Sequence, residues 1–127
     1  MLPWKLDLVR QIIASTVRTA DRYGVPVTVK TRIGIDDRHL TFLDMGRLAE
    51  DCGAAAICLH ARTVAQAYSG HADWNAISEL VQVVDIPVLG NGDIWEAADA
   101  VAMIEQTGCA GVEIGRGCLG RPWLFRD

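Results

Sequence analysis

Apolar side chains recur along this chain in two alternating rhythms. At Leu6, Val9, Ile12, Ile13 and Val17 they fall on one helical face, and Gly24 followed by Pro26 stops the run, so residues 6–23 predict an amphipathic helix. Residues 27–32 are instead a short β-branched run, and a turn at 34–37 separates them from a second helical stretch over 42–51 that Gly53 ends. The alternation continues with a strand at 54–60, a helix at 74–84, a strand at 86–90, a helix at 94–106 and a strand at 110–115. Pro122 is placed to open a final helix over 122–125.

Strands that alternate with helices every 25 to 30 residues or so predict a parallel sheet joined by right-handed crossovers. A doubly wound sheet would normally carry a glycine-rich phosphate fingerprint after its first strand, and residues 27–37 have none. A (β/α)8 barrel gathers its polar residues at the C-terminal ends of its strands. Lys30 and Arg32, His60 and Arg62, Asn91 and Asp93, and Gly115 and Arg116 follow that rule. The expected fold class is therefore α/β, a partial TIM (β/α)8 barrel of about four β/α units with parallel strands. A complete barrel needs about 250 residues, so this chain is half of one, with residues 1–127 as one domain and no second.

Alternation along a strand sends Lys30 and Arg32 to one side, and likewise His60 and Arg62. If those sides face the barrel axis, cations converge at its mouth. Around them Asn91-Gly92-Asp93 and Gly115-Arg116-Gly117 let a ligand approach the backbone N–H groups closely. The ligand such a mouth suits is a phosphate attached to something planar or hydrogen-bonding. Each residue also has a plainer reading: Lys30 as a solvated charge, His60 as a core histidine, Asn91-Gly92 as a turn, Asp93 as the N-cap of the next helix. Their order at successive strand ends is more specific than any one of them.

Composition narrows the function classes. A net charge of −4 argues against a surface that grips nucleic acid everywhere, though a local basic patch survives that argument. No apolar run approaches the roughly 20 residues that span a bilayer, and residues 1–8 show neither a basic leader nor a small-residue cleavage site, so no membrane partner and a cytoplasmic location are expected. The four cysteines form no C-x-x-C pair and, with three histidines, no zinc spacing, so no metal site is expected. Cys52, Cys58 and Cys109 read as small buried hydrophobes, while Cys118 lies in a glycine-rich turn.

Five ordered segments carry a resemblance: VTVKTRIG at 27–34, LHART at 59–63, QAYSGHADW at 66–74, IPVLGNGDI at 86–94 and GRGCLGRPW at 115–123. Together they resemble the tRNA-dihydrouridine synthase family, with the 66–74 segment closest to the bacterial B-type branch. That resemblance implies an FMN-binding TIM barrel followed by a helical domain, which reduces uridine to 5,6-dihydrouridine in tRNA with hydride delivered from NADPH through FMN. It implies that this chain is the C-terminal half of the barrel. Lys30 and His60 would contact the flavin, Asn91, Gly92 and Asp93 would line the cofactor, and Gly115 with Arg116 would hold its phosphate. Arg62 would bind substrate, standing with the 68–74 loop above the flavin where the nucleotide enters. A cation near the pyrimidine end of an isoalloxazine also makes chemical sense, because it stabilises the charge gained on reduction.

The departures bear equally on function. The family's proton donor is a cysteine in an N-x-G-C-P motif in the barrel's first half, which this chain lacks, so no catalytic acid is assigned and the chain alone is expected to be inactive. Half a barrel leaves sheet edges and apolar interior uncovered, which predicts self-association. Two other readings stay open: another FMN-dependent barrel oxidoreductase sharing the phosphate site, and a non-catalytic phosphate-ligand or interaction module derived from a half barrel.

Overall fold

The computed structural model describes residues 5–126. The reading of residues 1–8 for a leader therefore falls partly outside the described residues. Helix α1 (Leu6–Asp21) is followed by strand β1 (Thr28–Arg32), a hairpin of β2 (Gly34–Asp36) and β3 (His39–Leu40), and helix α2 (Phe42–Asp51). Strand β4 (Ala56–His60), helix α3 (Trp74–Val81), strand β5 (Val88–Asn91), helix α4 (Ala97–Thr107) and strand β6 (Gly111–Glu113) complete the alternation. The predicted turn at 34–37 is thus an antiparallel hairpin with an irregular register, and the predicted last helix is a short 3-10 turn, Pro122–Phe125.

Strands β1, β4, β5 and β6 pair in that order, every pair parallel. Spatial order equals chain order, with no reversal at which a doubly wound sheet would switch sides. The helices accordingly lie on one face. Ile57, Leu59 and Val88 point outward into a core shared with Phe42 and Ala49 of α2, Ile77 and Leu80 of α3 and Met103 of α4. Crossovers of one hand between strands in chain order put the helices on the same side, and a one-sided parallel sheet is the arrangement of a barrel wall.

A smaller cluster joins Val9 and Ile13 of α1 to Met45 and Leu48 of α2. Of the apolar positions that predicted α1, Ile12 stays exposed, because only one edge of the stripe meets α2. Glu50, at the end of α2, accepts hydrogen bonds from the backbone N–H of Asp85 (2.6 Å) and Ile86 (3.0 Å) and so fixes the approach to β5. Helix α4 begins with a reciprocal capping box between Glu96 and Asp99. Asp93 is therefore not its N-cap; Arg62 and the Ala72 N–H hold it instead. No described helix is long and apolar enough to cross a membrane.

Candidate functional site

The side of the sheet away from the helices carries the polar residues, and strand register explains why they meet. Arg32 lies beside His60, His60 beside Asn91, and Asn91 beside Glu113, so one row of the sheet ends in four polar side chains from four strands. One row deeper Lys30 lies beside Cys58. These rows and the loops after β4, β5 and β6 enclose an open pocket of about 540 Å³, within the range of small-molecule sites. Lys30, His60, Arg62, Asn91, Gly92, Asp93, Gly115 and Arg116, the residues singled out from sequence, all border it.

Lys30 reaches side chains of three other strands. Its Nζ donates to Asn91 Oδ1 at 3.1 Å and lies 2.8 Å from Glu113 Oε1 and 3.4 Å from Cys58 Sγ. Asn91 is oriented in turn by donating from Nδ2 to the Glu113 carbonyl at 2.7 Å. Cys58 donates to Glu113 Oε2 at 2.8 Å. Burial, with that hydrogen bond, pushes the Cys58 thiol up to about 12, so it stays protonated at neutral pH. Cys58 is buried as expected, but it faces the pocket rather than the apolar core. Cys109 does lie in the core, whereas Cys52 is half-buried. For Glu113, burial alone would raise the carboxyl, but hydrogen bonds from Cys58 and Lys30 and the lysine charge outweigh it and hold the group below its usual range.

His60 stands among Arg32, Lys30, Arg62 and Arg116; burial first, then these charges, push it down to about 4. At neutral pH it is an uncharged imidazole, able to donate or accept one hydrogen bond but adding no cation to the pocket.

Arg62, expected above the flavin where the nucleotide enters, borders the pocket but is buried and largely spent on contacts within the protein. Its side chain is 2% exposed. It bonds Asp93 Oδ1 at 2.7 Å and the carbonyls of Ser69 (3.3 Å) and Gly70 (2.9 Å), clamping the 66–72 loop to the strand β5 terminus. Asp93 also accepts from the Ala72 N–H at 2.7 Å. Burial disfavours its charge, yet these hydrogen bonds and the guanidinium win and hold its carboxyl below the ordinary value. Of the Arg62 guanidinium nitrogens, Nη1 alone is left buried without a hydrogen-bond partner. Between them Gly92 has φ +129°, and a Cβ there would come within 2.7 Å of Ala72 Cβ, so no other residue fits this crossing. Trp74 closes the same junction by donating from Nε1 to the Gly92 carbonyl at 3.0 Å, which places it under the loop and not over the pocket.

At the rim the Arg116 guanidinium stacks over Tyr68 (4.4 Å to the ring centre) and Trp95 (5.5 Å), and Arg32 also approaches Tyr68 (5.9 Å). No carboxylate partners Arg116 among the described residues, which leaves its N–H fork available to an anion. A Cβ at Gly115 would meet nothing within 4 Å, so the backbone beside Arg116 is open to a ligand. A flavin mononucleotide fits this donor set: an unpaired guanidinium next to bare backbone for a phosphate, and Lys30 and Asn91 deeper in for a hydrogen-bonding ring.

Glu113 and Trp95 are among the pocket residues that the sequence did not single out. Glu113 is a charge in a short apolar strand, where an ionised group is costly without a partner or a task, and that cost is a signal that could have flagged it. Trp95 had no comparable signal, since a single aromatic after a turn is common.

The family model described as "Dihydrouridine synthase (Dus)" matches residues 1–127. A protein of Mycobacterium leprae (strain TN) named "Probable tRNA-dihydrouridine synthase" is 63% identical over 127 residues, 99% of this chain and 33% of that protein. "tRNA-dihydrouridine synthase B" of Pectobacterium carotovorum is 41% identical over 121 residues, 95% of this chain and 37% of its own length. The chain thus spans about a third of the length of the curated relatives it matches. Among solved structures, a FabK mutant of Thermotoga maritima superposes with TM-score 0.61 at 17% identity, over 83% of this chain and 32% of that one. The BexX/CysO complex of Amycolatopsis orientalis gives 0.58 at 24% identity, over 88% and 41%. At those identities the structural likenesses speak for the α/β barrel fold alone. Five motifs in order, their convergence on one pocket and a family match along the whole length lead to one conclusion: this chain belongs to the dihydrouridine synthase family.

Proposed function

We propose that this chain supplies the C-terminal half of the FMN-binding barrel of a B-type-like tRNA-dihydrouridine synthase, a cytoplasmic oxidoreductase that reduces uridine to 5,6-dihydrouridine in tRNA with NADPH. The observation that carries the reading is the assembly of Lys30, His60, Asn91, Gly115 and Arg116 around one pocket, at the positions where the family motifs fall. When bound, FMN would accept hydride from NADPH and pass it to the uracil ring.

The residues present account for holding and orienting. Arg116 and the open backbone at Gly115 would take the phosphate through charge-assisted hydrogen bonds. Lys30, held by Asn91, would offer its ammonium to the ring, while neutral His60 would add a hydrogen bond without further charge. Cys58, with a thiol pushed up to about 12, is a poor proton shuttle at neutral pH, so protonation of the reduced base is not assigned to this chain. Arg32, Arg116, Tyr68 and Trp95 form a basic and aromatic rim, the chemistry that receives an unstacked RNA base.

Titrating FMN into the protein and following flavin fluorescence tests the reading. Saturable binding that weakens in Arg116→Ala is expected. A pocket that ignores FMN would leave the half barrel as a phosphate-ligand or interaction module.

A further inference from the structure

Two carboxylates border the pocket, and only one is needed to hold the fold there. Asp93 neutralises the buried Arg62 and anchors a loop. Glu113 has no such task. Its pair with Lys30 is 47% and 43% exposed, a setting in which an ion pair adds little to stability. Nevertheless its carboxylate is fully engaged, with Oε1 on Lys30 and Oε2 on Cys58, and these contacts favour its charged form.

We propose that Glu113 is a positioning residue that acts through Lys30. Its carboxylate fixes the ammonium in the pocket and offsets part of its charge, and so limits how strongly the site favours a negatively charged ring over a neutral one. This role rests on the flavin reading above. Reduction gives the isoalloxazine negative charge; a lone lysine would stabilise that form strongly, raising the flavin potential and weakening it as a hydride donor. A lysine with an anion 2.8 Å away stabilises it less, because the two fields oppose each other at any point beyond the pair. Glu113 therefore keeps the bound flavin a stronger reductant than Lys30 alone would allow. The thiol of Cys58 contributes by holding the second carboxylate oxygen, which stops Glu113 from turning out to solvent.

The test compares the midpoint potential of bound FMN in the wild type and in Glu113→Gln, which retains shape and the acceptor oxygen. In the variant the preference for reduced over oxidised flavin should rise roughly three- to tenfold, a potential more positive by about 15–30 mV for the two-electron couple. Glu113→Asp, with its carboxylate drawn back from Lys30, should shift the potential less and in the same sense, and it serves as the readout if Glu113→Gln does not fold. A bridge with only a structural role would change the melting temperature and leave the potential where it was. FMN bound at an unchanged potential in the variant overturns the role of Glu113 alone. Failure of the wild type to bind FMN overturns the flavin reading and this role with it.

Discussion

Two ion pairs of nearly equal length, 2.7 and 2.8 Å, border the same pocket and differ in almost everything else. Arg62 and Asp93 are 2% and 20% exposed, and three backbone groups complete their hydrogen bonding. Lys30 and Glu113 are nearly half exposed, and their remaining contacts are side chains of the pocket wall. The first pair is a clamp: it ties the loop after β4 to the end of β5 and leaves almost no surface for a ligand. The second is a working surface whose charges face the cavity. Distance alone separates them poorly; burial and the identity of the other partners decide which pair holds structure and which is free to act on a ligand.

The largest expected effect lies on the buried side. Asp93→Ala leaves the Arg62 guanidinium buried without its counter-charge, and a loss of about 3 kcal/mol is expected in equilibrium denaturation. A loss under about 1 kcal/mol would mean that Arg62 reaches water and that the clamp is no different from the Lys30 pair. Next in size, Arg116→Ala should weaken FMN binding roughly ten- to a hundredfold, the value of one charge-assisted phosphate contact. An affinity equal to the wild type would place the phosphate elsewhere on the rim.

Acid should act through His60, which sits between the two pairs. Its folded value of about 4 lies below the unfolded 6.5, so the unfolded chain takes up the proton first. Stability is therefore full above pH 6.5 and falls as the pH drops toward 4, by about 1–2 kcal/mol once solvent screening at this half-buried site is allowed for. Below that window Asp93 and Glu113, both held low in the fold, add their own loss in the same direction. Unfolding curves for His60→Asn should be flat between pH 6.5 and 4.5, and a slope as steep as the wild type would assign the effect to another group. The smallest expected change is the stability cost of Lys30→Ala, under about 1 kcal/mol, because its pair is exposed. That variant should nonetheless alter flavin reduction more than folding, and a large loss of stability with unchanged reduction would make Lys30 part of the clamp.

Much of this architecture was legible in the sequence because its signals are local. The spacing of Val9, Ile13 and Val17 and the β-branched run before Arg32 reflect a 3.6- or 2-residue period that a single segment displays by itself, and Gly24 and Gly53 mark helix ends just as locally. Lys30 and Asn91 were legible as well, since a barrel gathers its polar residues at the C-terminal ends of its strands. The partners of Arg62 were not legible, for a definite reason. Alternation put it on the pocket side, but what covers it is the backbone at Ser69 and Gly70 and the carboxylate of Asp93, the last 31 residues away, and no local pattern reports that. The plainer reading of Asp93 as a helix cap fails because Glu96, three residues later, forms the capping box instead.

The sequence by itself determined the order of strands and helices, the parallel sheet and the set of residues delivered to the strand ends, since each follows from short-range periodicity and steric rules. Only the tertiary structure decided which charges neutralise one another. Lys30, Cys58, Asn91 and Glu113 come from four different strands, and strand register, set by the whole packed sheet, brings their heads within hydrogen-bonding distance. Electrostatic energy depends on that separation and on exposure to water, and neither is a property of any one segment.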